Sequence, residues 1–82
     1  MTIHIKHSNG SAGDTFDDDE FGAALDCVRD TYGEDTVIYA CDAWPVESLA
    51  QLRAGDALVW RSDVDAHDDG ARAVASIYWT RD

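Results

Sequence analysis

Alternating side chains mark the first predicted strand, which covers residues 2–7. Ile3, Ile5 and His7 fall on one face, and Thr2, His4 and Lys6 fall on the other. This two-residue period predicts a strand with one buried face. Residues 8–15 (SNGSAGDT) are rich in turn formers and predict a loop.

The period changes to that of a helix over residues 16–32. Apolar side chains recur three, four, seven and eleven positions after the first and form one stripe: Phe21, Ala24, Leu25, Val28 and Tyr32. Thr15 or Asp17 can cap the helix, and Asp17 with Glu20 has capping-box spacing. Gly33 is expected to end it.

The second half of the chain predicts three more strands and a short helix. Residues 36–42 are apolar on both faces, which favours a central strand. Pro45 suits the first helical position of a short helix that ends at Gly55, with these side chains inward: Val46, Leu49, Ala50 and Leu52. Strands follow at 57–62 and 71–80, joined by a polar hairpin tip, DVDAHDDG.

The element order is therefore β-α-β-α-β-β, which predicts an α+β fold. We expect a small mixed sheet with an antiparallel C-terminal hairpin and the long helix packed on one face. The chain has 82 residues, a length that predicts one compact domain, residues 1–82.

Charge is the strongest compositional signal. Lys and Arg number 6 against 17 Asp and Glu, for a net charge of −11. Such a chain should not bind nucleic acid or anionic membranes through its charge. The sequence has no apolar run of membrane-spanning length and begins without an apolar signal segment, so a cytoplasmic location is expected.

Side chains that could support catalysis or bind metal lack the required spacing. Cys27 and Cys41 form no C-x-x-C pair and are expected to be reduced structural residues. The segment beginning at Asp65 places His67 where a calcium loop needs an oxygen ligand, and Ser76 where it needs Glu. His4 and His7 point to opposite faces of their strand. No nucleophile elbow or phosphate loop is present, so we expect no enzyme activity, cofactor or metal.

Acidic clusters and tryptophans are the candidate partner-binding residues. One or two acids would satisfy the helix dipole at the start of the long helix, but the run at 17–20 has four. Carboxylates spaced along a surface can replace phosphates opposite Lys and Arg, and aromatic side chains suit protein contacts. The candidates are Asp17, Asp18, Asp19, Asp26, Asp30, Asp63, Asp65, Asp68, Asp69, Trp60 and Trp79.

In size, acidity and α+β pattern the chain resembles the small phage-encoded anti-CRISPR proteins. That resemblance implies an inhibitor that mimics DNA and binds the nucleic-acid-binding surface of a CRISPR effector complex, blocking target DNA. It includes no diagnostic motif, so no site residue follows from it. The alternative is a non-enzymatic protein of a salt-adapted organism, whose acidity serves solvation. Fourteen of the 17 acids are Asp, a bias that a GC-rich genome would also produce.

Overall fold

Five strands and three α-helices make up the described part of the chain. The computed structural model describes residues 1–40 and 45–81. The strands are β1 Thr2–His7, β2 Asp14–Asp17, β3 Val37–Ala40, β4 Ala57–Trp60 and β5 Ala75–Thr80. The helices are α1 Phe21–Tyr32, α2 Leu49–Arg53 and α3 Asp63–His67, and a 3-10 turn, Asp18–Glu20, precedes α1. The α+β fold class is therefore confirmed.

The strands form one sheet in the order β2-β1-β5-β4-β3. Each pairing among them is antiparallel, so the expectation of a mixed sheet was wrong. The final two strands are antiparallel neighbours as predicted, but residues 61–74, which include α3, replace the simple hairpin tip. The central strand is β5, whereas β3 lies at an edge.

Strand β3 is apolar on both faces although it does not lie in the middle of the sheet. Ile38 faces the core and is 8% exposed, while Tyr39 on the other face contacts α3 through Asp63 and His67. A short helix thus half-buries the second face of an edge strand. The predicted extension through Cys41 and Asp42, and Trp44 beyond it, lie outside the described residues.

One face of the sheet forms the core with α1 and α2. Ile3, Ile5, Val59 and Ile77 are each at most 1% exposed, and they pack against Ala24 and Val28 of α1 and Leu52 of α2. The stripe predicted for the long helix is confirmed, since its five side chains are buried or half-buried. The face opposite this core is called the open sheet face below.

The long helix begins five residues later than predicted because residues 14–17 pair with β1 as strand β2. The loop before β2 folds back so tightly that a Cβ on Gly13 would lie 2.6 Å from the Ile5 carbonyl oxygen. Asp17 precedes the 3-10 turn, but its side chain makes no capping hydrogen bond. Gly33 follows Tyr32 with φ +116° and ends the helix as expected.

The short second helix also begins later than predicted. Pro45 bridges Tyr39 of β3, and Ser48 caps α2 by accepting a hydrogen bond from the Gln51 N–H. Val46 and Leu52 are buried and Leu49 half-buried, but Ala50 faces solvent. The predicted strand 57–62 stops at Trp60 because Ser62 caps α3, accepting from the Asp65 N–H at 3.2 Å; the next strand starts at Ala75 rather than 71.

Candidate functional site

Five exposed carboxylates follow the outer side of α1 and its approach. Asp17, Asp19 and Glu20 lie where the chain enters the helix, and their carboxylate oxygens lie within 4.8 Å of one another. Asp26 and Asp30 follow one helical turn apart, about 6 Å along the axis, on the side away from buried Ala24 and Val28. These five residues are called the acidic helix side.

Asp18 belongs to the same acidic run but makes an internal contact. Its Oδ2 accepts a hydrogen bond from Arg53 Nη2 at 2.7 Å, and its side chain is 26% exposed. The Arg53 guanidinium also lies 4.9 Å from the centre of the Trp79 ring. The predicted partner-binding residue Asp18 thus joins the 3-10 turn to α2.

The second acidic cluster lies on α3 and the loop after it. Asp63 accepts a hydrogen bond from the Tyr39 hydroxyl, and its Oδ1 is 3.5 Å from His67 Nε2. Asp65, Asp68 and Asp69 line an open cavity of about 750 Å³, whose lining also includes two arginines, Arg61 and Arg72. The arginines offset part of the negative charge in this cluster.

The two acidic clusters lie at opposite ends of the sheet. Asp17 pairs with Thr2 at one end of β1, whereas α3 follows Trp60, which pairs with Val37 at the other end. Helix α1 runs between the ends, and at its last residue the Tyr32 hydroxyl donates to the Val74 carbonyl at 3.2 Å. A partner that contacts both clusters therefore has to extend along α1.

Trp60 and Trp79 lie on opposite faces of the sheet. Trp79 pairs with Ile3 and packs against the core, where Arg53 and Arg81 flank its ring. Trp60 follows buried Val59 in β4 and so faces the open sheet face. The two tryptophans cannot anchor the same contact.

The open sheet face contains apolar and aromatic side chains, of which only Trp60 was among the predicted partner-binding residues. Tyr39, Leu58, Trp60 and Tyr78 lie on it, together with His4, whose ring stacks on Tyr78 at 4.8 Å. Alternation along β1 and along β5 assigns His4 and Tyr78 each to one face of its own strand. The antiparallel register between the two strands, with His4 opposite Tyr78, brings the two rings together on one face of the sheet.

A polar network ties β1, β2 and α1 at the edge of the core. His7 Nε2 lies 3.0 Å from Asp14 Oδ2, and His7 Nδ1 hydrogen-bonds with the Tyr32 hydroxyl. Cys27 Sγ is 3.8 Å from the same Asp14 oxygen. Burial, and then the Asp14 carboxylate, raise the pKa of the Cys27 thiol. A raised pKa lowers the thiolate fraction at neutral pH, so the thiol is a poor nucleophile.

The segment considered for calcium binding adopts a helix at its start. Asp65 and His67 belong to α3, which ends at His67, so the first ligand positions are not on a calcium-binding loop. The carboxylates of Asp17, Asp19 and Glu20 converge closely enough to reach one ion, but exposed acidic groups commonly do so without one. Nothing else in the described residues distinguishes either cluster as a metal site.

The chain matches no family model, no curated protein and no solved structure. The resemblance to anti-CRISPR proteins therefore stays a prediction. Within residues 1–40 and 45–81, every helix is too short or too polar to cross a bilayer.

Proposed function

We propose that this chain is a non-enzymatic acidic protein that binds the nucleic-acid-binding surface of a basic protein and competes there with DNA. The observation that supports this best is the acidic helix side. Its five carboxylates are exposed, and within the described residues none of them forms an ion pair with Lys or Arg. Their charge is thus directed to solvent and available to a partner.

The spacing of these groups suits the proposed competition. Helix α1 has 12 residues and is about 18 Å long at 1.5 Å per residue. Asp26 and Asp30 are separated by about 6 Å along it, whereas the phosphates of one DNA strand recur about every 3.4 Å along the duplex axis. The carboxylates would therefore meet some of the Lys and Arg side chains that line the DNA-binding groove of a partner protein. Long-range attraction between the opposite charges would accelerate association.

The resemblance in size, charge and pattern makes a CRISPR effector complex the first partner to test. In a gel-shift competition, purified effector with guide and labelled target DNA is titrated with this protein at 0.05 and 0.3 M salt. We expect loss of the DNA complex, with weaker inhibition at the higher salt because exposed charges are screened.

A matched pair of variants tests the acidic helix side itself. D26N/D30N and E34Q/E47Q each remove two exposed charges, but only the first pair lies on the acidic helix side. The first variant should inhibit severalfold less than the second. Equal inhibition by the two would refute a localised contact, and no inhibition by the unmodified protein would refute the effector as partner.

A second candidate function is a role in a salt-adapted cell, where acidity maintains hydration. The observation that favours it is the placement of acids at both ends of the sheet and along α1, instead of in one patch. Self-repulsion at −11 opposes compaction and is screened by salt. Circular dichroism should then show a chain that is largely unfolded in dilute buffer and folds in molar KCl. A chain that is fully folded at 0.15 M salt would contradict this candidate.

A further inference from the structure

We propose that the open sheet face, centred on Leu58, Trp60 and Tyr78, is a docking surface for an apolar or aromatic projection of a protein whose surrounding surface is basic. The proposal deepens the proposed function, on which it rests for the basic character of the partner. It adds a second contact, on the side of the molecule opposite α1.

The described residues leave the centre of this face uncovered. Both α1 and α2 pack on the core face, whereas α3 lies beside β4 and contacts Tyr39 of β3 through Asp63 and His67. Leu58 on the inner strand β4 is 37% exposed, whereas Trp60 and Tyr78 are half-buried. Apolar and aromatic surface of this kind is typical of the centre of a protein interface.

Several aromatic side chains on the face are already held in place. The rings of His4 and Tyr78 stack with an interplanar angle of 8°, and His4 Nε2 is 2.8 Å from Thr80 Oγ1. The hydroxyl of Tyr39 donates a hydrogen bond to the Asp63 carboxylate. Such side chains lose little rotamer freedom on binding, so their contacts contribute more of their energy to affinity.

The size of the face determines how far the partner must extend. The sheet has five strands of four to six residues. With strands about 4.8 Å apart and residues about 3.4 Å apart along each strand, its projected area is roughly 400 Å². A stable interface buries about 800 Å² per partner. A partner bound here must therefore also contact the surroundings of the sheet.

The charge of those surroundings selects a basic partner over a second copy of this chain. Among the described residues the strands place one cation and one acid on the open sheet face, Lys6 of β1 and Asp17 at the end of edge strand β2. A further acid, Asp63, lies beside Tyr39 at the margin of the face. A second copy, also at −11, would place acids against acids, whereas Lys and Arg around an apolar projection would be attracted.

Nuclear magnetic resonance with two peptide probes tests the proposal. One probe is a ten-residue peptide of alternating Arg and Trp, and the other is ten arginines. We expect the Arg/Trp peptide to shift the amides of Leu58 and Tyr78 and the indole of Trp60. The arginine peptide should shift only amides of acidic residues, including those of the acidic helix side.

Surface variants that preserve strand propensity complete the test. L58T/Y78T should weaken binding of the Arg/Trp peptide at least fivefold and leave binding of the arginine peptide unchanged. V64T is the control, because Val64 is an apolar side chain 76% exposed on α3, away from the centre of the face. It should leave both affinities unchanged.

Three outcomes would overturn the docking surface. These are a shift pattern that is the same for both peptides, an L58T/Y78T protein that binds the Arg/Trp peptide as before, and a concentration-dependent dimer in sedimentation that this variant abolishes. The proposed function fails separately: if the arginine peptide shifts no amide of the acidic helix side while the Arg/Trp peptide binds the sheet, only the helix contact is refuted.

Discussion

Arg53 connects α2 to the acidic run before α1, and replacing it should reveal how much of that run is structural. In R53M the aliphatic part of the side chain keeps its packing while the charge is lost. Asp18 then loses its ion pair at 2.7 Å, and the Trp79 ring loses the cation 4.9 Å from its centre.

The expected loss of stability is modest because both partners are partly solvated. The Arg53 side chain is 44% exposed and that of Asp18 is 26% exposed, so the ion pair should contribute about 0.5 kcal/mol after screening. A cation over an aromatic ring at an exposed site adds about 0.5–1 kcal/mol. Together these predict a loss of about 1–1.5 kcal/mol, or roughly 5–10 °C in Tm for a domain of this size.

A double-mutant cycle separates the ion pair from the ring contact. Urea denaturation of the unmodified protein, D18N, R53M and D18N/R53M should give a coupling of about 0.5 kcal/mol between Asp18 and Arg53 at low salt. The coupling should shrink at 0.5 M salt. The control is D19N, which removes a neighbouring exposed charge; it should change stability by less than about 0.5 kcal/mol and relieve repulsion.

Two results would refute this reasoning. If the coupling were zero at low salt, Asp18 would be as available to a partner as its neighbours, and it would belong to the acidic helix side. If R53M were as stable as the unmodified protein, the ring contact with Trp79 would contribute nothing either.

Three further predictions concern the backbone, the polar network and the core. Gly33→Ala should lower the free energy of unfolding by about 1 kcal/mol or more, since φ is +116° there and an added Cβ would lie 3.1 Å from a carboxylate oxygen. Gly22→Ala, on the exposed surface of α1, should instead raise it by about 0.5–1 kcal/mol. Thermal melts that gave the reverse order would contradict the backbone assignment. Tyr32→Phe should cost about 1–2 kcal/mol by leaving His7 Nδ1 without its partner. Burial raises the pKa of the Tyr32 hydroxyl above 10.0, so its contribution to folding stability is present below pH 10 and declines as pH rises through the pKa of the folded state. The variant lacks this hydroxyl, so its stability should fall less above pH 10 than that of the unmodified protein. Equal losses of stability in the two proteins, measured by urea titration, would count against this. Ile77→Ala at a fully buried position should cost about 2–5 kcal/mol in urea denaturation, and a cost below about 1 kcal/mol would contradict its central place in the core.

Elements whose pattern is local could be predicted from the sequence. The two-residue period of β1 and the stripe from Phe21 to Tyr32 depend only on which side chains must leave water, so both appear in the structure as expected. Gly33 ended α1 because few other residues adopt its backbone conformation. The net charge of −11 also follows from the sequence alone.

Elements defined by pairing could not be predicted. Residues 14–17 have too short a pattern to indicate a strand, and they form β2 because β1 offers hydrogen bonds to them. The apolar strand β3 looked central but lies at an edge, because β5 returns from the end of the chain to lie between β1 and β4. Residues 63–67 became helical where a hairpin tip was expected.

The candidate site divides in the same way. The sequence identified the acids and the tryptophans, but the tertiary structure separated the two acidic clusters, engaged Asp18 with Arg53, and placed Trp60 and Trp79 on opposite faces. The physical reason is that charge and periodicity belong to each segment, whereas strand order, register and the covering of each face depend on hydrogen bonds and burial between distant segments. Which aromatic residues remain accessible, such as Tyr78 stacked on His4, is decided only when those segments meet.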